Sequence, residues 1–241
     1  MTTSELIQDI KTYCLANADA ERLQKSQRFF KKEFVGHGLT APQVYAKVKE
    51  LQKGGGINLP MITEAAPTLM KGGMYEEISM ALLLLDGQWK EFTPETFQTI
   101  AGWFSISITN WAHADTLAMF TLPKFLDKKI VEMKDFGPWL GSPFKFQRRC
   151  VPVTLIKHVK KTREVMPSIN FVERLMADPE REVHQGMGWF LREAWKINPE
   201  EVEPFLLKYK DSAPRLIFQY ACEKMDSNAK LKFKRTMSGE K

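Results

Sequence analysis

Three short segments of this chain hold residue types whose spacing could serve chemistry. In Asn110-Trp111-Ala112-His113-Ala114-Asp115, Trp111 and Asp115 are four apart and share one face of a helix. An indole and a carboxylate make different demands, because a core takes the first and water the second. The pair is therefore either a functional constellation or a boundary between core and solvent. In Phe146-Gln147-Arg148-Arg149-Cys150 two arginines stand early in a helix, where the dipole favours acids. Arginines held there can aim at an anion such as a phosphate, or they can form a solvated basic surface. In His184-Gln-Gly-Met-Gly-Trp189-Phe-Leu-Arg192-Glu193, Gly186 and Gly188 interrupt a helical pattern. Each costs about 1 kcal/mol against alanine, which points to close approach by another backbone or by a ligand.

Basic residues recur elsewhere. Lys25, Arg28, Lys31 and Lys32 form one cluster, Lys157, Lys160, Lys161 and Arg163 a second, and Lys230, Lys232, Lys234 and Arg235 a third. Gathered on one curved surface they can track phosphates. Other chemistries find no support. The sequence has no nucleophile elbow, phosphate-binding loop or dinucleotide fingerprint, and its four histidines lack metal-binding spacing. No cofactor and no metal is expected.

The elements that must position these segments read as helices. Leu6, Ile10, Tyr13 and Cys14 make one helical face, and Leu23, Gln27, Phe30 and Phe34 make another that ends at Gly36-His37-Gly38. Thr40 caps a third helix, and further helices are expected from about Leu59 to Met70 and Tyr75 to Leu85. Others open at Thr93-Pro94-Glu95, run from Asn110 to about Phe120, and from Phe125 to about Met133. A long one begins near Ser142-Pro143. Four more span Ser168 to Met176, Pro179 to Trp195, Pro199 to Leu207 and Ala213 to Cys222. The string Val151–Ile156 is the most strand-like, but Pro152 and its helical flanks argue against a strand. Some twelve to fourteen helices of this size suggest an all-α solenoid of HEAT-like antiparallel pairs with a concave basic groove. The expected organisation is one repeat domain over residues 1–228 and a fraying basic tail over 229–241.

Composition agrees with a globular chain. Of 241 residues 44% are hydrophobic and 27% charged, which argues against disorder. Lys+Arg 35 less Asp+Glu 29 leaves a net charge of +6, which permits a nucleic-acid partner without demanding one. The longest apolar stretch, Ile78 to Leu85, is far short of the ~20 residues of a membrane span. Three widely spaced cysteines and an N-terminus without a signal pattern fit a cytoplasmic protein.

The three segments, taken in order, resemble the AlkD-like DNA alkylation repair glycosylases, which are HEAT-like helical solenoids. Trp111-xxx-Asp115 resembles the family's tryptophan and catalytic aspartate. Arg149 resembles the arginine of its Trp-x-x-Arg-Ala-Ala helix. The segment from His184 to Glu193, followed by Asn198-Pro199, resembles its Lys-Ala-Ile-Gly-Trp-x-Leu-Arg run, and residues 30–42 resemble its opening. The likeness spans roughly residues 5 to 225. The chain departs from the pattern at Phe146, where the family usually has tryptophan, at Cys150 and Val151 in place of two alanines, and at Pro152. These changes leave open whether Arg148 or Arg149 meets the phosphate.

The resemblance implies a monofunctional glycosylase that hydrolyses the glycosidic bond of N3- and N7-alkylated purines in duplex DNA, without flipping the base. Asp115, Trp111, Trp189 and Arg149 would form the catalytic set. Arg148, Phe146, Lys31, Lys32 and Arg192 would contact DNA. A carboxylate near the sugar stabilises oxocarbenium charge, and indole faces attract a cation. A monomer is expected, cytoplasmic and associated with the nucleoid when bound to DNA. A non-catalytic repeat protein that recognises damaged or branched DNA is the alternative. A scaffold for protein partners is a third reading, distinguished by weak, salt-insensitive DNA binding.

Overall fold

The computed structural model describes residues 1–28 and 35–235, so Lys31 and Lys32 lie outside the described residues. The described residues contain α-helices, 3-10 segments and one π-helical turn, and no strand. They fall into two compact units, Met1–Phe125 and the remainder from Leu126.

The first unit contains α1 (Thr3–Ala16), α2 (Ala20–Gln27), α3 (Ala41–Lys53), α4 (Leu59–Lys71), α5 (Tyr75–Gly87), α6 (Pro94–Trp103) and α7 (Trp111–Thr116), and α8 (Leu122–Asp127) crosses its boundary. Local chemistry starts these helices. Thr2, Thr40 and Thr93 each accept the backbone N–H of the third helical residue and donate their own backbone N–H to that residue's side-chain oxygen. Asn58 and Asn110 cap α4 and α7 with their side-chain oxygens. Leu6, Ile10 and Cys14 of α1 are buried, as the spacing predicts. α5 is the centre of this unit. Ile78, Met80, Ala81, Leu82, Leu84 and Leu85 are buried, and α5 packs against α1, α3, α4 and α7.

The second unit contains α9 (Lys145–Thr162), α10 (Met166–Val172), α11 (Arg181–Trp195), α12 (Pro199–Tyr209), α13 (Arg215–Ala221) and α14 (Ser227–Leu231). Its principal packing runs from α9 to α11 to α13, helices two apart in the chain, as stacked helix pairs require. Val151–Ile156 is helical and buried within α9, which continues through Pro152.

Two expectations are corrected. The helix predicted from Phe125 to Met133 does not form. The chain instead stays helical from Trp111 to Asp127, passing through a π-helical turn at Leu117–Thr121. That turn shifts the apolar spacing by part of a residue and hides the continuation from a 3.6-residue count. The basic tail does not fray within the described residues. Phe233 is buried, the Arg215 guanidinium donates to its carbonyl at 2.8 Å, Arg235 donates to the Ala213 carbonyl at 3.2 Å, and Lys232 pairs with Glu203 at 3.0 Å. Burial of the Phe233 ring acts together with these ties to dock the segment.

Candidate functional site

The site begins with how α7 is fastened. Its inner face buries His113, Ala114, Leu117 and Ala118. The Asn110 side-chain oxygen accepts the His113 backbone N–H at 2.9 Å, and its amide reaches His113 Nδ1 at 2.9 Å. That second bond makes Nδ1 an acceptor and puts the ring proton on Nε2. Nε2 lies 3.0 Å from the Tyr75 carbonyl and 3.1 Å from Ser79 Oγ, both on α5. Burial pushes the His113 pKa down to about 4, against the opposing effect of the Tyr75 carbonyl. The imidazole is therefore neutral at physiological pH and serves as a fixed clamp.

The outer face of the same helix carries Trp111, Ala112, Asp115, Thr116, Met119 and Phe120. Trp111 is 44% exposed and Phe120 48%. Asp115 is half-buried, one turn after Trp111. The predicted pairing of indole and carboxylate on one face is thus present.

Arg148 and Arg149 differ sharply. Arg148 grips the Asp178 carboxylate with Nε at 2.6 Å and Nη2 at 3.1 Å, and its Nη1 donates to the Ser142 carbonyl at 2.7 Å. The Asp178 side chain is buried, so this is a structural ion pair at the start of α9. Arg149 is buried too, and its Nη1 donates to the Glu182 carbonyl at 2.7 Å in the first turn of α11. Phe146, expected at the DNA surface, is buried with Lys145 Nζ 5.4 Å above its ring. Its place in the core gives it a packing role. Phe144, two residues earlier, is the exposed aromatic of this turn.

The glycines of α11 are explained by close packing. A Cβ on Gly186 would stand 3.1 Å from Arg149 Cγ, and one on Gly188 would stand 2.5 Å from Tyr220 Cβ and 2.6 Å from the Ile217 carbonyl oxygen. Gly186 thus makes room for Arg149, and Gly188 admits the backbone of α13. Trp189, on the same helix, is half-buried.

Arg192 is engaged by carboxylates. Its Nε meets Glu193 Oε1 at 3.1 Å and its Nη1 meets Glu223. Glu193 is buried and also holds Lys160 at 2.7 Å and Lys196 at 2.8 Å. Burial alone would raise its pKa, but Lys160, Lys196 and Arg192 together bring it down to about 2. This hub was missed in the sequence. Lys161 pairs with Asp127 at 2.9 Å, so the second basic cluster is partly neutralised.

Trp111 and Asp115 belong to the first unit, and Arg148, Arg149, Phe146, Trp189 and Arg192 to the second. Among the described residues no group of three His, Cys, Asp or Glu side chains is placed to hold a metal ion. No helix among them is long and apolar enough to cross a membrane.

Comparisons with known proteins give three findings. A family model described as "DNA alkylation repair enzyme" matches residues 10–225. No curated protein matches significantly. Among solved structures, one described as a predicted DNA alkylation repair enzyme from Enterococcus faecalis matches with a TM-score of 0.76 and 18% identity. The match covers 88% of this chain and 98% of that one, and it establishes a shared helical fold.

Proposed function

Since the chain belongs to the DNA alkylation repair enzyme family, we propose that it is a DNA glycosylase that hydrolyses the glycosidic bond of N3- and N7-alkylated purines in duplex DNA. The observation that carries this reading is the outer face of α7, where an exposed Trp111 and the Asp115 carboxylate are set one turn apart by a buried, neutral His113.

Alkylation at N3 or N7 makes the base a cationic leaving group. As the bond to it lengthens, positive charge grows on the sugar. The Asp115 carboxylate stabilises that charge and orients the water that attacks the anomeric carbon. The Trp111 ring attracts the same cation through its negative face, and Trp189 is a proposed aromatic contact of the second unit to DNA. Water supplies the oxygen and gives up one proton to solvent, the purine departs with the bonding electrons as a neutral base, and an abasic site remains. No lysine stands in the segments Asn110–Asp115, Phe146–Cys150 or His184–Glu193, so no Schiff-base step is included. An indole on an open helix face suits a lesion met from the duplex surface, without base flipping.

Arg149 enters the proposal as a brace. Its bond to the Glu182 carbonyl ties α9 to α11 and so sets Trp189, and a phosphate contact is limited to the small part of it that stays open. Lys31 and Lys32 remain proposed contacts to the DNA backbone.

The test is release of 7-methylguanine and 3-methyladenine from methylated duplex DNA, with wild type beside Asp115→Asn. Release by the wild type and a loss of roughly a hundredfold or more in the variant, with DNA binding retained, upholds the proposal. Absence of release by the wild type overturns it. A second reading, damage recognition without catalysis, is favoured by the ion pairs that occupy Arg148 and Arg192. It predicts salt-sensitive duplex binding with no base release by either protein.

A further inference from the structure

The outer stripe of α7 and its π-helical continuation holds more than the Trp111–Asp115 pair. Phe120 is 48% exposed, and Met119 beside it is half-buried. The core positions of this helix are already taken by Leu117, Ala118, Thr121 and Leu122. A single exposed aromatic is unremarkable in a folded protein. Two of them on the outer side of one helix, one before and one after a carboxylate, are a pattern.

The spacing along the helix is informative. Trp111 precedes Asp115 by four residues and Phe120 follows it by five. At a rise of about 1.5 Å per residue these are offsets along the helix axis of roughly 6 and 7.5 Å, each about two nucleotide steps of ~3.4 Å. The stripe carries no lysine or arginine, and its one charge is Asp115. A phosphate would be repelled there. The groups of a DNA strand that such a surface can meet are the apolar faces of deoxyriboses and the edges of bases.

We infer that Phe120 is a second aromatic contact to the substrate strand, packing on the deoxyribose of a nucleotide about two steps from the lesion, on the opposite side of Asp115 from Trp111. This rests on the proposed function, which places Asp115 at the damaged sugar. Phe120 then fixes the register of the strand along α7. Being a turn or more from the reacting carbon, it holds ground state and transition state alike, and so supplies binding rather than rate.

The experiment separates these quantities. Affinity is measured for a short duplex carrying a tetrahydrofuran abasic analogue, and single-turnover release of 7-methylguanine is measured at saturating protein. Phe120→Ala should weaken binding by about threefold to tenfold, with the saturated release rate within about twofold of wild type. Phe120→Tyr should restore affinity. Leu207→Ala, which trims an exposed apolar side chain on α12, serves as the control and should bind as wild type does. Unchanged affinity in Phe120→Ala, or an equal loss in Leu207→Ala, overturns the inference. A wild type that releases no base, but whose duplex affinity still falls in Phe120→Ala, overturns the glycosylase proposal while upholding the contact.

Discussion

The His113 ring stacks on the ring of Tyr75 with centroids 4.6 Å apart, and its Nε2 donates to the carbonyl oxygen of the same tyrosine at 3.0 Å. Tyr75 is the first residue of α5 and His113 the third of α7. One imidazole thus grips both the backbone and the side chain of the neighbouring helix, while Asn110 holds its other nitrogen. Trp111 and Asp115, on the same helix, take their position from this grip.

The clamp makes stability depend on pH. Folding lowers the His113 pKa from its ordinary 6.5 to about 4. Between these values the unfolded chain binds a proton that the folded chain does not. The stability contributed by the neutral ring is complete above about pH 6.5 and is lost as pH falls toward 4, by an amount on the order of 3 kcal/mol. Urea denaturation across this range should show the slope, and His113→Leu should flatten it. An unaltered slope in the variant would remove His113 as its source.

The two glycines of α11 should respond differently to alanine. Gly186→Ala sets the helix-propensity gain of about 1 kcal/mol against a 3.1 Å contact with the Arg149 stem, which can shift, so stability should stay within about 1 kcal/mol of wild type. Gly188→Ala meets the Ile217 backbone at 2.6 Å, which cannot shift cheaply, and should lose about 2 to 3 kcal/mol. Thermal unfolding of the two variants checks the order.

Arg148→Ala should act on the fold. It leaves the buried Asp178 carboxylate without its bidentate partner, at a cost of about 3 kcal/mol. Arg148→Lys should recover only part of this, because an ammonium cannot reproduce the fork. A variant of unchanged stability with weakened DNA binding would instead make Arg148 a phosphate contact.

Glu193→Gln should lower the melting temperature, since Lys160, Lys196 and Arg192 lose their common anion. A loss of about 2 kcal/mol is expected, partly screened where the lysines are exposed. The folded carboxyl titrates near 2, below its ordinary 4.5. The wild type should therefore lose this contribution as pH falls from about 4.5 toward 2, and the variant should not.

Most of the fold was legible because the helices announce their own ends. Thr40 and Thr93 cap where their sequence context says they should, and the apolar spacing of α1 names its buried residues Leu6, Ile10 and Cys14. The failures came where a local rule changed without a marker. A π-helical turn carries no sequence flag, so apolar spacing divides the helix that runs from Trp111 to Asp127 and leaves the exposure of Phe120 unmarked. Phe146 stands among basic residues, yet burial of its ring outweighs the charge of its neighbours.

The candidate site divides in the same way. Trp111 and Asp115 could be paired from spacing alone, because four residues on a helix fix a face. That His113 holds them could have been suspected from Asn110-x-x-His113, a cap followed three residues later by a side chain able to bond it. The engagement of Arg148 by Asp178 could not, since the partners are thirty residues apart in sequence. Arginines that read as a basic surface prove to be internal ties.

Gly188 leaves no surface of its own, and the room is filled by Tyr220 and the backbone at Ile217. Those contacts are a Cβ and a backbone carbonyl, which nearly every residue type carries, so changing the side chain at 217 or 220 makes no room at 188. A larger residue at 188 is tolerated only in a lineage that has already moved α13 outward. Position 188 should therefore stay glycine among homologues that keep this helix approach, while the solvent-facing positions of the same helices diverge around it.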